Sequence, residues 1–574
     1  MKKLLLILSL SLLAFNLADA CTNFLITKGA SADGSTMITY AADSHVLYGE
    51  LYYRPAADYE EGTWCDITEW DTGKKLGKIK QITHTYSVVG NINEYAVSIG
   101  ETTYTGLEEL QDTTGIIDYG SLMYIALQRA KTAREAIKVI AELTAEYGYC
   151  STGESFSIAD PNEVWIMEVI GKGKPYFDKK GNLDKNYTKG MVWVALRIPD
   201  GYICGHANQA RITTFPKADG KKSITSKQLD KIFNPEVECV YAYDVASYAK
   251  GIGIYNGKDE VGFDFSGTYN PINFHGARFC DARVWAMFNR TNHEDVKQYE
   301  GYARGEENLA QRMPLWIRPD RLLTVNEVMG FMRDHYEGTS MDMSQDVGAG
   351  PFNLPYRWRP MEWKYNDKTY IHERATSTQQ TGFSFVAQMQ SKLPRQIGGI
   401  LWFGVDDTYS TCYMPMYCGI TQIPTCVREG NGNMAEFSPT SAFWLFNRVT
   451  NFAYLRYADM IKDIRKVQNE LETNFVKQSI DNGKAWASKD ELELVMLANR
   501  YSNDQAYYTF KRWQELDQYL LVKYIDGNIK KEENGKFKTT EYGKDRIDFP
   551  MQPRYPDSFY KQIVDQKGTE LEEK

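Results

Sequence analysis

Between residues 22 and 200 the chain lays strand-like runs on either side of one long helical block, and no other feature constrains its fold as much. "TNFLIT", "GSTMITYAAD", "THTYSVVGNIN" and "YAVSIGET" come first. A block over 117–147 follows, carrying "SLMYIALQRAKTAREAIKVIAELTAEY" with apolar residues at helical spacing and Arg, Glu and Lys between them. "ESFSIAD", "EVWIMEVIG" and "MVWVALRIP" then return to strand, and Asp160-Pro161-Asn162 predicts a tight hairpin turn between two of them. Alternating and fully apolar strands are mixed. That mixture suits two stacked sheets flanked by helices better than a doubly wound parallel sheet, so the predicted class is α+β.

Farther along the pattern is less regular. Residues 215–380 are rich in Gly, Asn, Tyr and Trp, with short helical pieces such as "DARVWAMFNR" and "TVNEVMGFMRDH". "QTGFSFVAQM" and "IGGILWFGVDD" read as strands. Long helical runs follow, with starts predicted at Ser438-Pro439 and at Ser488…Glu491. The last ~45 residues are polar and are expected to be extended. The resulting division is a leader at 1–20, a main domain at 21–460, and a helical extension with a polar tail at 461–574.

The leader is read from Lys2 and Lys3, an apolar run from Leu4 to Leu17, and Ala18-Asp19-Ala20 as an A-x-A cleavage site. This is the order of a secretory signal, too short for a spanning helix, and no later run reaches the roughly 18 apolar residues a span needs. The expectation is an exported chain, periplasmic or extracellular, beginning at Cys21. A lipoprotein cysteine is the alternative, but Asp19 and Ala18 fit such a signal poorly. The two are chemically exclusive, because lipidation consumes the thiol.

Removing a leader with two lysines and one aspartate takes the net charge of −9 to −10, which argues against nucleic acid as a partner. Nine cysteines are an odd number. One parsing leaves Cys21 alone and pairs up to eight others in four disulfides; the other keeps most of them as buried thiols. A homo-oligomer is left open.

Familiar catalytic motifs are missing: there is no H-E-x-x-H, C-x-x-C, phosphate-binding G-x-x-x-x-G-K-[ST] or G-x-S-x-G. The seven histidines show no metal spacing, and His372-Glu373 reads as an ordinary polar pair, so neither metal nor cofactor is expected. Cys21 is different. At a new N-terminus it carries a thiol of pKa about 8.5 beside an α-amine of about 7.7–8.0. Nucleophile and general base then reside in one residue, and no histidine is required. The alternative is a small apolar residue or disulfide half opening the first strand.

"CTNFLITKGASADGSTMITYAADS" resembles the start of the mature chain in peptidase family C69, dipeptidases of the N-terminal-nucleophile hydrolase superfamily related to secernins and, more distantly, to penicillin V acylases and bile salt hydrolases. "GESFSIADPNEVWIMEVIG", "VWVALRIPDGYICGHANQARI" and "SPTSAFWLFNRVTNFAYLRY" agree in order, so the likeness covers most of 21–460. It implies a four-layer αββα sandwich and a thiol peptidase acting on dipeptides or short peptides. Cys21 would attack the carbonyl, Asp43 would help hold the N-terminal amine, and Asn208 would donate to the oxyanion. Arg283 would be the arginine found beside the cysteine. Bland alternatives remain for these positions: a turn cap for Asp43, a satisfied loop amide for Asn208.

One departure stands out. Three residues before Asp43 the family usually has arginine, and this chain has Tyr40. Tyrosine donates a hydrogen bond but carries no positive charge, so either another cation supplies the field or the substrate's charge differs. Glu101 falls near the family's substrate-side loop, where it would hold a substrate amine or simply face solvent. Two competing functions are kept: an amidase of the same fold acting on N-acyl or conjugated bile-acid-like amides, and a non-catalytic, lipid-anchored binding protein.

Overall fold

The computed structural model describes residues 21–175, 188–257, 262–306, 308–543 and 546–573; the leader expected over 1–20 lies outside them. Two large sheets dominate. The first has seven strands in the order Trp316–Ile317, Ile203–His206, β1 (Asn23–Ile26), β2 (Thr36–Asp43), Thr381–Met389, Gly399–Val405 and Met414–Tyr417. All its pairings are antiparallel. The second has nine, running from Ser223–Thr225 through Cys239–Tyr241, Met191–Arg197, Val164–Gly171, Gly153–Ala159 and Ser98–Thr105 to three two-residue strands at its edge.

The two sheets face each other where β1 and β2 pack on Ser98–Thr105 and Gly153–Ala159. Every residue of β2 is buried, as a strand covered on both faces requires. His206 ties the sheets together, its ring nitrogens 2.7 Å from Thr102 Oγ1 and from Ser157 Oγ. Burial, and after it Arg211, push this histidine down to about 3, so it is a neutral structural bridge.

Helices cover the outer faces. α1 (Tyr119–Arg129) and α2 (Ala133–Tyr147) pack on the second sheet, and Ala442–Tyr454 and Glu491–Tyr524 pack on the first. The fold is α+β. The helical block predicted over 117–147 is thus two helices. The break has a cause: Asn93 Nδ2 donates to the carbonyls of Leu127 and Ala130, closing α1, while Thr132 accepts from Glu135 N and opens α2.

The hairpin predicted at Asp160 forms, with Asp160 Oδ1 accepting from the amides of Asn162 and Glu163. Other boundaries shift. The helix placed at Ser438-Pro439 starts after Ser441, because Ser438 Oγ is bonded to Asn431 Oδ1 in the preceding loop. The next long helix is capped by Asp490, whose Oδ1 accepts from Glu493 N, rather than at Ser488. The 460/461 division falls inside the helix Tyr457–Trp486, whose Glu472 accepts from Arg333 and from Tyr413 N. The tail expected to be extended contains the helix Asp557–Lys567, which buries none of its residues.

No disulfide joins any of the nine cysteines; seven are buried, and Cys65 and Cys426 are half-buried. The buried-thiol parsing therefore holds, and the four-disulfide parsing does not. No described helix is long and apolar enough to cross a membrane.

Candidate active site

Cys21 sits one residue before the bridge that pairs Thr22 with Ala41 of β2, and it is buried. Its thiol donates toward Glu101 Oε1 at 3.6 Å and toward the Tyr40 hydroxyl at 3.8 Å. Tyr40 in turn donates to the same Glu101 oxygen at 2.5 Å. Gly100 permits this closeness: a Cβ there would stand 2.7 Å from Asn23 Nδ2 and 3.2 Å from Tyr40 Cβ.

Glu101 is 1% exposed and does not face solvent. Behind it lies Glu154, equally buried and on the same face of the second sheet, opposite Thr103 in register. Thr103 Oγ1 donates to Glu154 Oε1 at 2.9 Å. Burial pushes Glu101 up to about 7, against hydrogen bonds from Tyr40 and Glu154 that favour its charged form. Burial, then the charge of Glu101, raise Glu154 well above the carboxylate range. The Oε2 atom of each is buried and accepts from no described residue.

On the other side of Cys21 the charges are positive. Arg283, fully buried, donates from Nη1 to the Cys21 carbonyl at 2.6 Å and to Thr22 Oγ1 at 2.7 Å. Its Nη2 reaches Ala207 O at 3.0 Å and Asn208 Oδ1 at 2.8 Å. Burial first, and the nearby Arg374 after it, lower this guanidinium to about 10. Asp43 ends β2 at a bulge and is fully buried, accepting from Arg374 Nη2 at 2.5 Å and Thr381 Oγ1 at 2.6 Å. Burial raises its pKa despite Arg374. Arg374 thus brings, from far along the chain, a positive charge to the buried end of β2.

Asn208 has a left-handed backbone, φ +63°, and its Nδ2 donates to Thr103 O at 2.7 Å. It lines a separate small recess with Gln209, Asn270 and His275, while Cys21 opens into a different cavity. That cavity is about 260 Å³, lined by Cys21, Tyr40, Asp43, Asp71, Tyr119 and the Arg54–Glu429 ion pair, with walls of Tyr52, Trp70, Tyr124 and Phe383.

Cys21, Tyr40, Asp43, Glu101 and Arg283 are therefore brought together, and Asn208 touches the group through Arg283. Sequence reading missed Glu154, Arg374 and Asp71. A charged residue inside the apolar run "GESFSIAD" was the one available signal for Glu154. Arg374 sits in an irregular segment and Asp71 in a turn, where pattern carries no information about partners. Among the described residues no three His, Cys, Asp or Glu side chains gather as a metal site.

Several known proteins are similar to this chain over most of its length. A probable dipeptidase of Salmonella dublin is 24% identical over 453 residues, covering 75% of this chain and 88% of that protein. Dipeptidase A of Lactobacillus helveticus is 21% identical over 508 residues, covering 84% and 91%. Probable dipeptidase B of Lactococcus lactis subsp. lactis is 23% identical over 492 residues, covering 79% and 88%. The model of Peptidase family C69 matches residues 51–470, a span that starts after Cys21, Tyr40 and Asp43 but includes Glu101, Glu154, Asn208, Arg283 and Arg374. With that match across most of its length, the chain belongs to peptidase family C69.

Proposed function

We propose that this protein is an exported dipeptidase whose nucleophile is the thiol of Cys21, exposed at a new N-terminus when the leader is removed. The reading rests chiefly on one observation: a buried cysteine, directly after the A-x-A sequence, opens into a cavity of about 260 Å³ and is held through its carbonyl by Arg283. The names of the relatives, dipeptidases from three bacteria, support the substrate class. In this reading the two facing sheets and their outer helices are the four αββα layers of an N-terminal-nucleophile hydrolase.

The Cys21 α-amine, of ordinary pKa about 7.7–8.0, takes the thiol proton and later returns it to the leaving amine. Sulfur attacks the peptide carbonyl, the C–N bond breaks, and water releases the acyl group from sulfur. Asp43 and its partner Arg374 set the charge around the amine. Arg283 holds the backbone of Cys21 and also bonds Asn208, whose amide is engaged with Thr103 O in the separate recess, so no oxyanion role is given to it. A small cavity with charged ends suits a dipeptide better than the large apolar acyl groups of the amidase alternative.

Intact mass and N-terminal sequencing of the exported protein, before and after a thiol-alkylating reagent, test this. A chain starting at unmodified Cys21, one rapid alkylation, and loss of dipeptide hydrolysis on alkylation and in Cys21→Ala are expected. A chain that starts elsewhere, carries a lipid on Cys21, or hydrolyses dipeptides without this thiol would sink the reading.

A further inference from the structure

The cavity above Cys21 contains three acidic side chains on its wall, and two of them are matched. Asp43 accepts from Arg374, and Glu429 pairs with Arg54 at 2.8 Å. Asp71 has no ion pair among the described residues, and its polar contact is the Tyr119 hydroxyl, which donates to Oδ1 at 3.0 Å. The wall therefore carries one uncompensated negative charge. Although the residue is exposed, loss of solvent on its cavity side first raises the Asp71 carboxyl above its ordinary value; the Tyr119 hydrogen bond opposes this, and the Asp118 and Glu69 carboxyls add to it.

The place of Asp71 is fixed by the fold. It lies in the turn of the hairpin formed by Trp64–Thr68 and Lys75–Lys80. That turn is fastened to the N-terminal end of α1: Trp70 N donates to Asp118 Oδ2 at 3.0 Å, and Ser121 Oγ donates to Thr68 O at 2.9 Å. Trp70 also lies so close over Gly120 that a Cβ there would be 2.5 Å from the indole. Beside Asp71, Trp70 stacks on Tyr124 at 4.9 Å and meets the edge of Tyr52 at 4.7 Å, giving an aromatic wall next to the carboxylate. A carboxylate, a phenol and aromatic faces in a confined space are the groups that recognise an ammonium ion. Glu101, the acid expected from sequence to do this, is covered by Tyr40 and does not line the cavity.

We propose that Asp71, presented by the hairpin turn and oriented by Tyr119, binds the free α-ammonium of the substrate, so that the enzyme is selective for peptides with an unblocked N-terminus. The proposal rests on the reading of Cys21 as nucleophile, since it places the substrate in that cavity, but its test is made on binding. Isothermal titration of the Cys21→Ala variant compares alanyl-alanine with N-acetyl-alanyl-alanine. The free-amine peptide is expected to bind at least about 10-fold more tightly, the low end of what a hydrogen bond to a charged group contributes, since Asp71 is an exposed carboxylate. Adding Asp71→Asn brings the two within about 3-fold by weakening the free-amine peptide alone, Tyr119→Phe gives an intermediate ratio, and Asp71→Glu retains most of the preference. The proposal is overturned if the acetylated peptide binds within about 3-fold in the Asp71 background, if Asp71→Asn keeps the preference, or if neither peptide binds. Hydrolysis by Cys21→Ala would instead overturn the nucleophile reading, a result separable from the binding ratio.

Discussion

The hydroxyl of Tyr40 stands at the junction between the thiol and a buried acid pair, and its chemistry there follows from what it donates. Its bond to Glu101 favours the charged carboxylate, opposing the burial that pushes Glu101 up to about 7. Tyr40→Phe removes the donor and keeps the ring, which packs edge-on against Phe383 and Phe385. Glu101 then titrates at higher pH. Alkylation of Cys21 followed against pH should show any inflection near 7 move upward by on the order of one unit in the variant, the scale of one hydrogen bond to a charged group. A profile that stays in place would show that Glu101 does not govern the thiol. Part of this group was legible beforehand: Cys21 from its own local string, Asp43 and Arg283 only through the family resemblance. The partner that completes the pair, Glu154, was not, because a cross-strand diagonal exists only once register is set.

At the scale of elements, the site depends on how closely the second sheet approaches β1 and β2. Gly100 lies where Ser98–Thr105 crosses Asn23 and Tyr40, and an added methyl would press on both. Gly100→Ala is expected to destabilise the fold by about 1–3 kcal/mol, as overpacking in a close-packed core does. It should also lower dipeptide hydrolysis by more than the lost stability explains, since Tyr40 must move. Thermal unfolding and kcat/KM measured on the same variant check this; an unshifted Tm would mean that the sheets yield at little cost. Strands were the most readable elements, because alternation and apolar runs report directly on burial. The single helical block was misread because the signal that divides it, Asn93 taking the carbonyls of Leu127 and Ala130, comes from a strand edge remote in sequence.

For the whole molecule, the buried acids set a pH dependence of stability. Glu101, Glu168 and Asp406 are each pushed by burial up to about 7, and Glu154 well above its ordinary range. Each is raised in the folded state, so its contribution is fully present below the unfolded pKa near 4 and is lost as pH rises through the folded value. His206 works the other way: lowered to about 3, it is neutral when folded, and stability falls as its unfolded form protonates below about 6.5. His45, His275 and His372 are also lowered, by burial first, but less strongly; the four acids outweigh the four histidines and leave a net gain on acidification from pH 8 toward 5.5, each group contributing at most about 1.4 kcal/mol per pH unit. Below about 4.5 the direction turns, since Glu337, lowered to about 2 mainly through His335 against the effect of burial, begins to lose its stabilisation. The Tm should therefore be higher at pH 5.5 than at pH 8. A flat or opposite profile would mean that these carboxyls are not held protonated in the native state.

By itself the sequence determined the class of the fold, the place of the longer strands, and the chemistry that Cys21 could perform. These are local properties, written in periodicity, turn residues and the nature of one thiol. The tertiary structure alone decided the charge around that thiol: Arg374 beside Asp43, Glu154 behind Glu101, and Asp71 on the cavity wall. The physical reason is that electrostatics acts through space over a few ångströms. Residues 43 and 374 are 331 positions apart in the chain and 2.5 Å apart in the fold, and no periodicity along the sequence encodes that distance.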